Sequence, residues 1–347
     1  MPILLLVLFL CCTSGAYAQA DASPGLVSAA PASAASAAVS AADSTGAAVA
    51  GDVLDAGDMP AGLDDAARVD FYCLRRAYPQ ITDMTADAQG QWLMFADGRR
   101  VLYAAAPAEE PASGAPESGW VVSVRTSMTE PYPLEPQRPD TPPGVSPGRR
   151  RSYDLLQTLY GSTPKTVGSH LVQARLLEQR LHLSPAAAQA MNRANADLAP
   201  LAAQDPRLKP LLKMDGGFAW RRIAGENRLS PHAFGIAFDI SPGIATYWRW
   251  SKLRPHPMQK SYPSAIVEAF ENQGFIWGGK WHEYDLMHFE YRPEIICKAR
   301  VWQGLEPLPD KEAAKILSRP ALPDLPAAPA GESIAPAAPS SAPAVSQ

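Results

Sequence analysis

The sequence predicts an α+β fold, a small antiparallel sheet flanked by helices with a small helix-plus-hairpin unit ahead of it. Three observations lead there. Gly235 to Ile240 and His288 to Arg292 alternate polar and apolar residues with the period of two that half-buried strands require. Ser184-Pro185 and the residues after it, and Pro263 to Gln273, space their apolar residues as helices do. Composition shifts sharply at about Ala66, at Tyr153 and again near Arg319, marking where globular texture begins and ends.

In chain order, Ile3 to Leu10 is an apolar run too short to span a bilayer, followed by small residues and an Ala16-Tyr17-Ala18 cleavage pattern. Residues 1–18 are therefore expected to be a signal peptide, although no Lys or Arg stands near the start. A lipoprotein signal at Cys11 or Cys12 is the alternative, and a poorer fit, because Leu10 or Cys11 stands where a small residue is wanted. The expected location is outside the cytoplasm, in the periplasm, the cell envelope or the medium. Residues 19–63 are an Ala/Ser/Pro-rich linker unable to bury a core.

Residues 64–104 form the accessory unit. Val69 to Tyr78 has helical spacing, and two apolar runs around Asp97-Gly98 signal a hairpin. Residues 105–150 are a Pro-rich connection, expected to wrap over the domains, and it runs into a basic triplet, Arg149 to Arg151, that reads as solvated loop charge. Residues 151–310 are the globular domain. Ser184 and Pro185 supply an N-cap and an N1 proline, and Gly274 supplies the stop for the helix of 263–273. Residues 311–347 return to Pro, Ala and Ser, and disorder is expected there.

A formal net charge of -4 provides no basic footprint for nucleic acid or anionic lipid. No later segment is long and apolar enough to span a membrane, and the sequence does not set an oligomeric state. After signal cleavage only Cys73 and Cys297 remain, which suggests one disulfide in an exported protein, with two separate buried thiols as the alternative.

The chemistry sits in two stretches. One runs Ser230-Pro231-His232-Ala233-Phe234-Gly235-Ile236-Ala237-Phe238-Asp239, the other Trp277-Gly278-Gly279-Lys280-Trp281 and on to Asp285-Leu286-Met287-His288-Phe289-Glu290. His232, Asp239 and His288 offer two imidazoles and a carboxylate, the three-ligand set of a catalytic zinc site that leaves one position open. On strands, Asp239 and His288 would point into a shared cleft while Ile236, Phe238, Ile240, Phe289 and Tyr291 pack behind. Asp285, three residues before His288, is placed to act as a base. The helical His-Glu-x-x-His motif is absent, since Leu286 stands three residues beyond Glu283.

Ser-x-His-x-x-Gly-x-Ala-x-Asp followed by Asp-x-x-His-Phe-Glu resembles the M15 zinc peptidases of the hedgehog/D-Ala-D-Ala-peptidase fold. The resemblance covers roughly Gly216 to Pro293, and the Trp277 to Trp281 stretch is similar to the L-alanyl-D-glutamate branch. It implies one zinc held by His232, Asp239 and His288, with Asp285 as catalytic base and peptidoglycan stem peptide as substrate. Asp285 stands where the carboxypeptidase branch usually has Glu, favouring the endopeptidase over the D-Ala-D-Ala carboxypeptidase activity. The family's substrate-stabilising arginine upstream of the first His is matched to Arg221 in preference to Arg222. A zinc-stabilised binding module without peptidase activity is the alternative function, and an envelope scaffold is a third.

Of the remaining candidates, Ser230 reads as a turn residue orienting His232, and Gly235 as a backbone requirement. His170, His182 and His256 read as surface or packing residues, and His282 as a rim residue at most. Glu290 either supports a ligand His or pairs with Arg292. Trp248, Trp250, Trp277 and Trp281 divide between core and groove.

Overall fold

The computed structural model describes residues 59–106, 122–135, 141–241, 243 and 246–308. The expected signal peptide, most of the 19–63 linker and the 311–347 tail lie outside the described residues. Among those described, no helix is long and apolar enough to cross a membrane.

The first element, α1 (Asp65–Ala77), is capped by Asp64, whose carboxylate accepts from the Ala67 N–H at 2.8 Å. Asp65 in its first turn and Arg75 and Arg76 in its last complement the helix dipole. Three strands follow where the sequence showed two: β1 (Ile81–Asp87), β2 (Gly90–Phe95) and β3 (Arg100–Ala105), all antiparallel. β1 escapes pattern reading because it is an edge strand that buries only Ile81 and Met84. Its turn is built by Asp87, whose Oδ1 accepts from the Gln89 and Gly90 N–H groups.

After the short α2 (Val124–Ser127) come α3 (Tyr153–Tyr160), α4 (Pro164–His170), a hairpin of β4 (Val172–Leu176) and β5 (Gln179–Leu183), and the long α5 (Pro185–Gln204). Ser184 precedes α5 as expected, but its hydroxyl makes no cap bond. Its N–H donates instead to the Gly235 carbonyl at 2.7 Å, tying the helix start to the loop that carries His232. The rest comprises β6 (Met214–Gly216), β7 (Ala237–Ile240), α6 (Met258–Ser261), α7 (Ser264–Glu271), β8 (Phe275–Trp277), β9 (His288–Tyr291) and α8 (Pro293–Trp302).

The central sheet has the order β6-β7-β9-β8 and is antiparallel throughout. One face carries Phe238, Phe275 and Phe289 against α5 and α7, in a core that also holds Phe270 and Trp277. Phe238 stacks on Phe289 with centroids 5.4 Å apart, and both contact Phe270. Removing one such ring would cost about 3–5 kcal/mol. The opposite face carries Asp239, His288 and Glu290.

A second core joins α1 and the three-stranded sheet to α8, through Phe71, Leu74, Ile81, Leu93, Ile295 and Val301. Cys73 of α1 and Cys297 of α8 form a disulfide across a sequence separation of 224. The expected pairing is thus present, and the N-terminal elements share a core with the helix that directly follows β9.

Candidate metal centre

His232 sits in a 3₁₀ turn, Pro231–Phe234, ended by Gly235 at φ +66. A side chain at Gly235 would place Cβ 2.4 Å from Leu171 and 3.2 Å from the Ser184 nitrogen, so glycine is required both conformationally and sterically. The His232 Nδ1–H donates to the Gly217 carbonyl at 2.7 Å, which turns Nε2 toward Asp239 Oδ1 at 3.3 Å. It is this carbonyl that orients the ring.

Asp239 and His288 are direct partners on β7 and β9. His288 Nδ1 lies 3.1 Å from Asp239 Oδ1, while its Nε2 faces Glu290 Oε2 at 3.5 Å. Each imidazole therefore has one nitrogen engaged by an acceptor outside the trio, Gly217 or Glu290, and the other turned to Asp239 Oδ1. One ligating atom from each of His232, Asp239 and His288 lies within 4.8 Å of the others. Two oriented imidazoles and one carboxylate, converging on a cleft, fit a zinc or similar divalent ion.

Electrostatics agree with that fit. Burial works against the Asp239 carboxylate, but hydrogen bonds from His232 and His288 outweigh it and hold the group well below its ordinary range. Burial likewise opposes charge on His288, yet Asp239 and Glu290 push it up to about 9. A cation is wanted at this point, and without a metal the proton on His288 takes that part.

Asp285 lies at the end of a turn whose N–H donates to the Gly278 carbonyl at 2.9 Å. Its Oδ1 is buried and has no hydrogen-bond partner among the described residues. Burial raises this carboxyl to about 6, opposed by His288 and assisted by Asp239. Asp285 shares a cleft of about 290 Å³ with His232, Asp239 and His288. Arg221, which is exposed, lines the same cleft, whereas Arg222 does not.

The basic triplet departs from expectation. Arg149 and Arg151 are 3% and 2% exposed, so they are not solvated loop charges. The segment before them is fastened to the 281–282 stretch that leads into β9: Trp281 Nε1–H donates to the Pro147 carbonyl at 2.7 Å, and the His282 N–H to the Val145 carbonyl at 2.9 Å. Both arginines line the cleft, together with Arg228. Arg149 approaches Glu226 and Glu283 at 3.7 Å each and bonds the Tyr247 hydroxyl at 3.3 Å. Arg151 grips Glu290. Sequence reading missed Arg149 and Arg151, because a run of arginines in a Pro-rich stretch looks the same whether it is solvated or buried, and it did not single out Arg228.

Other candidates fall into place. Glu290 touches both His288 and Arg151, and Arg292 reaches it only at 3.6 Å, bonding Glu294 instead. Trp277 and Trp281 are buried, while Trp250 is 70% exposed at the cleft rim. His282 turns to Glu283 at 3.2 Å, and His170 and His182 are surface residues.

Residues 224–291 match the family model described as D-alanyl-D-alanine carboxypeptidase, an M15 peptidase model. No curated protein and no solved structure matches the chain. The matched stretch contains His232, Asp239, Asp285, His288 and Glu290, and omits Arg149, Arg151 and Arg221. Over that stretch the match supports the M15 peptidase family, whose members are typically zinc-dependent, without selecting a branch within it.

Proposed function

We propose that the chain is an exported zinc metallopeptidase that hydrolyses peptide bonds in peptidoglycan stem peptides. The observation that carries this reading is the convergence of His232, Asp239 and His288 beside a buried, unpartnered Asp285 Oδ1 in one cleft. His232, Asp239 and His288 would hold the zinc, which would supply Lewis-acid activation of water near neutral pH.

The chain's own residues do the remainder. Asp285 Oδ1 receives a proton from the attacking water and returns it to the leaving amine nitrogen. In the metal-free chain its desolvated position raises its proton affinity above that of an ordinary carboxylate, and a cation bound beside it would favour the ionised form that accepts the proton. Arg221 donates to the carbonyl oxygen of the scissile bond as negative charge develops on it. Gly217 and Glu290 hold the two imidazoles in the tautomers that point Nε2 of His232 and Nδ1 of His288 at the cleft. Trp281 and the Pro147 segment beneath it wall the floor against water.

Two bonds are candidates. Asp285 and the Trp277 to Trp281 stretch favour the L-alanyl-D-glutamate bond, while the description of the matched family names D-alanyl-D-alanine. Incubating the zinc-loaded protein with defined stem peptides, read by mass spectrometry, separates them. A new D-Glu amino terminus marks the endopeptidase, and release of terminal D-Ala marks the carboxypeptidase. Either product must vanish in Asp285→Ala while zinc stays bound. No cleavage by a zinc-loaded protein would favour the alternative, a zinc-stabilised envelope binding module. The apolar start of the sequence and the Cys73–Cys297 disulfide support export to an oxidising compartment.

A further inference from the structure

The geometry points to Arg151 as a positioning residue of the metal centre, supplied by a chain segment outside the family-matched stretch. The inference rests on the metal-centre reading above and extends it to a residue that spacing alone does not mark.

Arg151 and Glu290 are buried together, with side chains 3% and 0% exposed. Arg151 Nε–H donates to both Glu290 oxygens, at 2.8 and 3.1 Å, and Nη2 donates to Oε2 as well. Nη1 is spent on the Arg149 carbonyl at 2.8 Å, which locks the guanidinium plane. The fork therefore dictates where the Glu290 carboxylate stands, and that carboxylate faces His288 Nε2. Arg151 also lies over the Trp281 ring at 5.9 Å, and Trp281 contacts the His288 ring at 5.7 Å. Two surfaces of His288, its Nε2 edge and a ring contact, are thus set by groups that Arg151 itself touches.

Stability alone is a poor account of such a pair. Burying two charges costs several kcal/mol per ion before their attraction repays it, and apolar replacements of similar volume often stabilise. An ionised carboxylate held in one orientation is, however, what fixes the His288 tautomer with Nδ1 free for a ligand. Lysine could keep the charge but cannot span both oxygens.

The test is zinc affinity, measured by competition with a chromophoric chelator, and the visible spectrum of the cobalt-substituted protein. Arg151→Lys should remain folded, bind zinc about 10- to 100-fold more weakly and shift the cobalt bands. Arg151→Met with Glu290→Gln removes both buried charges together and should behave likewise, which covers the case in which a single variant fails to fold. Lys298→Met, which breaks a comparably buried pair between α8 and Asp70 of α1, should leave zinc affinity unchanged. Wild-type zinc affinity in the folded Arg151 variants would overturn the inference while leaving the metal centre standing. So would an equal loss in Lys298→Met. A wild-type protein that binds no zinc would remove the metal-centre reading itself, and the inference with it.

Discussion

Opening the Cys73–Cys297 bond should cost the protein a large part of its stability. The bond closes a loop with a sequence separation of 224, and in the chain-entropy picture a loop of that length contributes about 5 kcal/mol at 25 °C. Domains have only about 5–15 kcal/mol in total, so the reduced protein would be marginal. Cys73 is 0% and Cys297 7% exposed, so reduction requires opening of the α1–α8 core. Reduction is preferable to mutation because two buried thiols pack as small apolar groups and leave no cavity. The assay is urea unfolding followed by tryptophan fluorescence, on metal-free protein reduced with a phosphine, so that neither bound zinc nor a mixed disulfide contributes to the difference. Free energies rather than midpoints must be compared, because a cross-linked unfolded chain exposes less surface and lowers the slope. A difference below about 1 kcal/mol would refute the reasoning, showing that the bond does not restrain the unfolded chain as its span requires.

Zinc affinity should rise with pH by about tenfold per unit below about 9, because His288 in the metal-free chain is pushed up to about 9 and the metal must displace that proton. The sign for stability follows: with a folded value above the ordinary 6.5, the metal-free protein gains stability that is complete below 6.5 and lost as pH rises through about 9. Calorimetry in buffers of different ionisation heat would detect the released proton, and a pH-independent affinity between 6.5 and 8 would exclude the competition. Gly278→Ala places Cβ 2.5 Å from the Asp285 carbonyl and 3.1 Å from its Cβ, so turnover should fall by well over about tenfold while zinc stays bound; unchanged kcat would show the turn can yield. Arg221→Ala, at an exposed position, should leave Tm within about 1 °C and lower kcat/KM by about 10²–10³, and a KM effect alone would assign it to ground-state binding.

Much of the candidate metal site could be read from the chain because it lies on two short strands, where a period of two assigns faces directly. Asp239, His288 and Glu290 share one face of β7 and β9 for the same reason that Phe238 and Phe289 share the other. The helices α5 and α7 were equally legible from apolar spacing and from Pro185 and Gly274 at their ends. Edge strand β1 was not, because only two of its seven residues are buried and alternation needs a buried face.

What the tertiary structure alone decided is which charges are buried. Arg149, Arg151 and Arg228 carry the same side chain as exposed Arg222, and nothing in their neighbours along the chain distinguishes them. Their environment is made by residues more than a hundred positions away in the case of Arg151 and Glu290, which meet across 139 residues of sequence. Local periodicity specifies the face a side chain takes on its own element. The partner that face meets is set by how elements pack, and for a buried charge the partner determines whether it is a cost or part of the site.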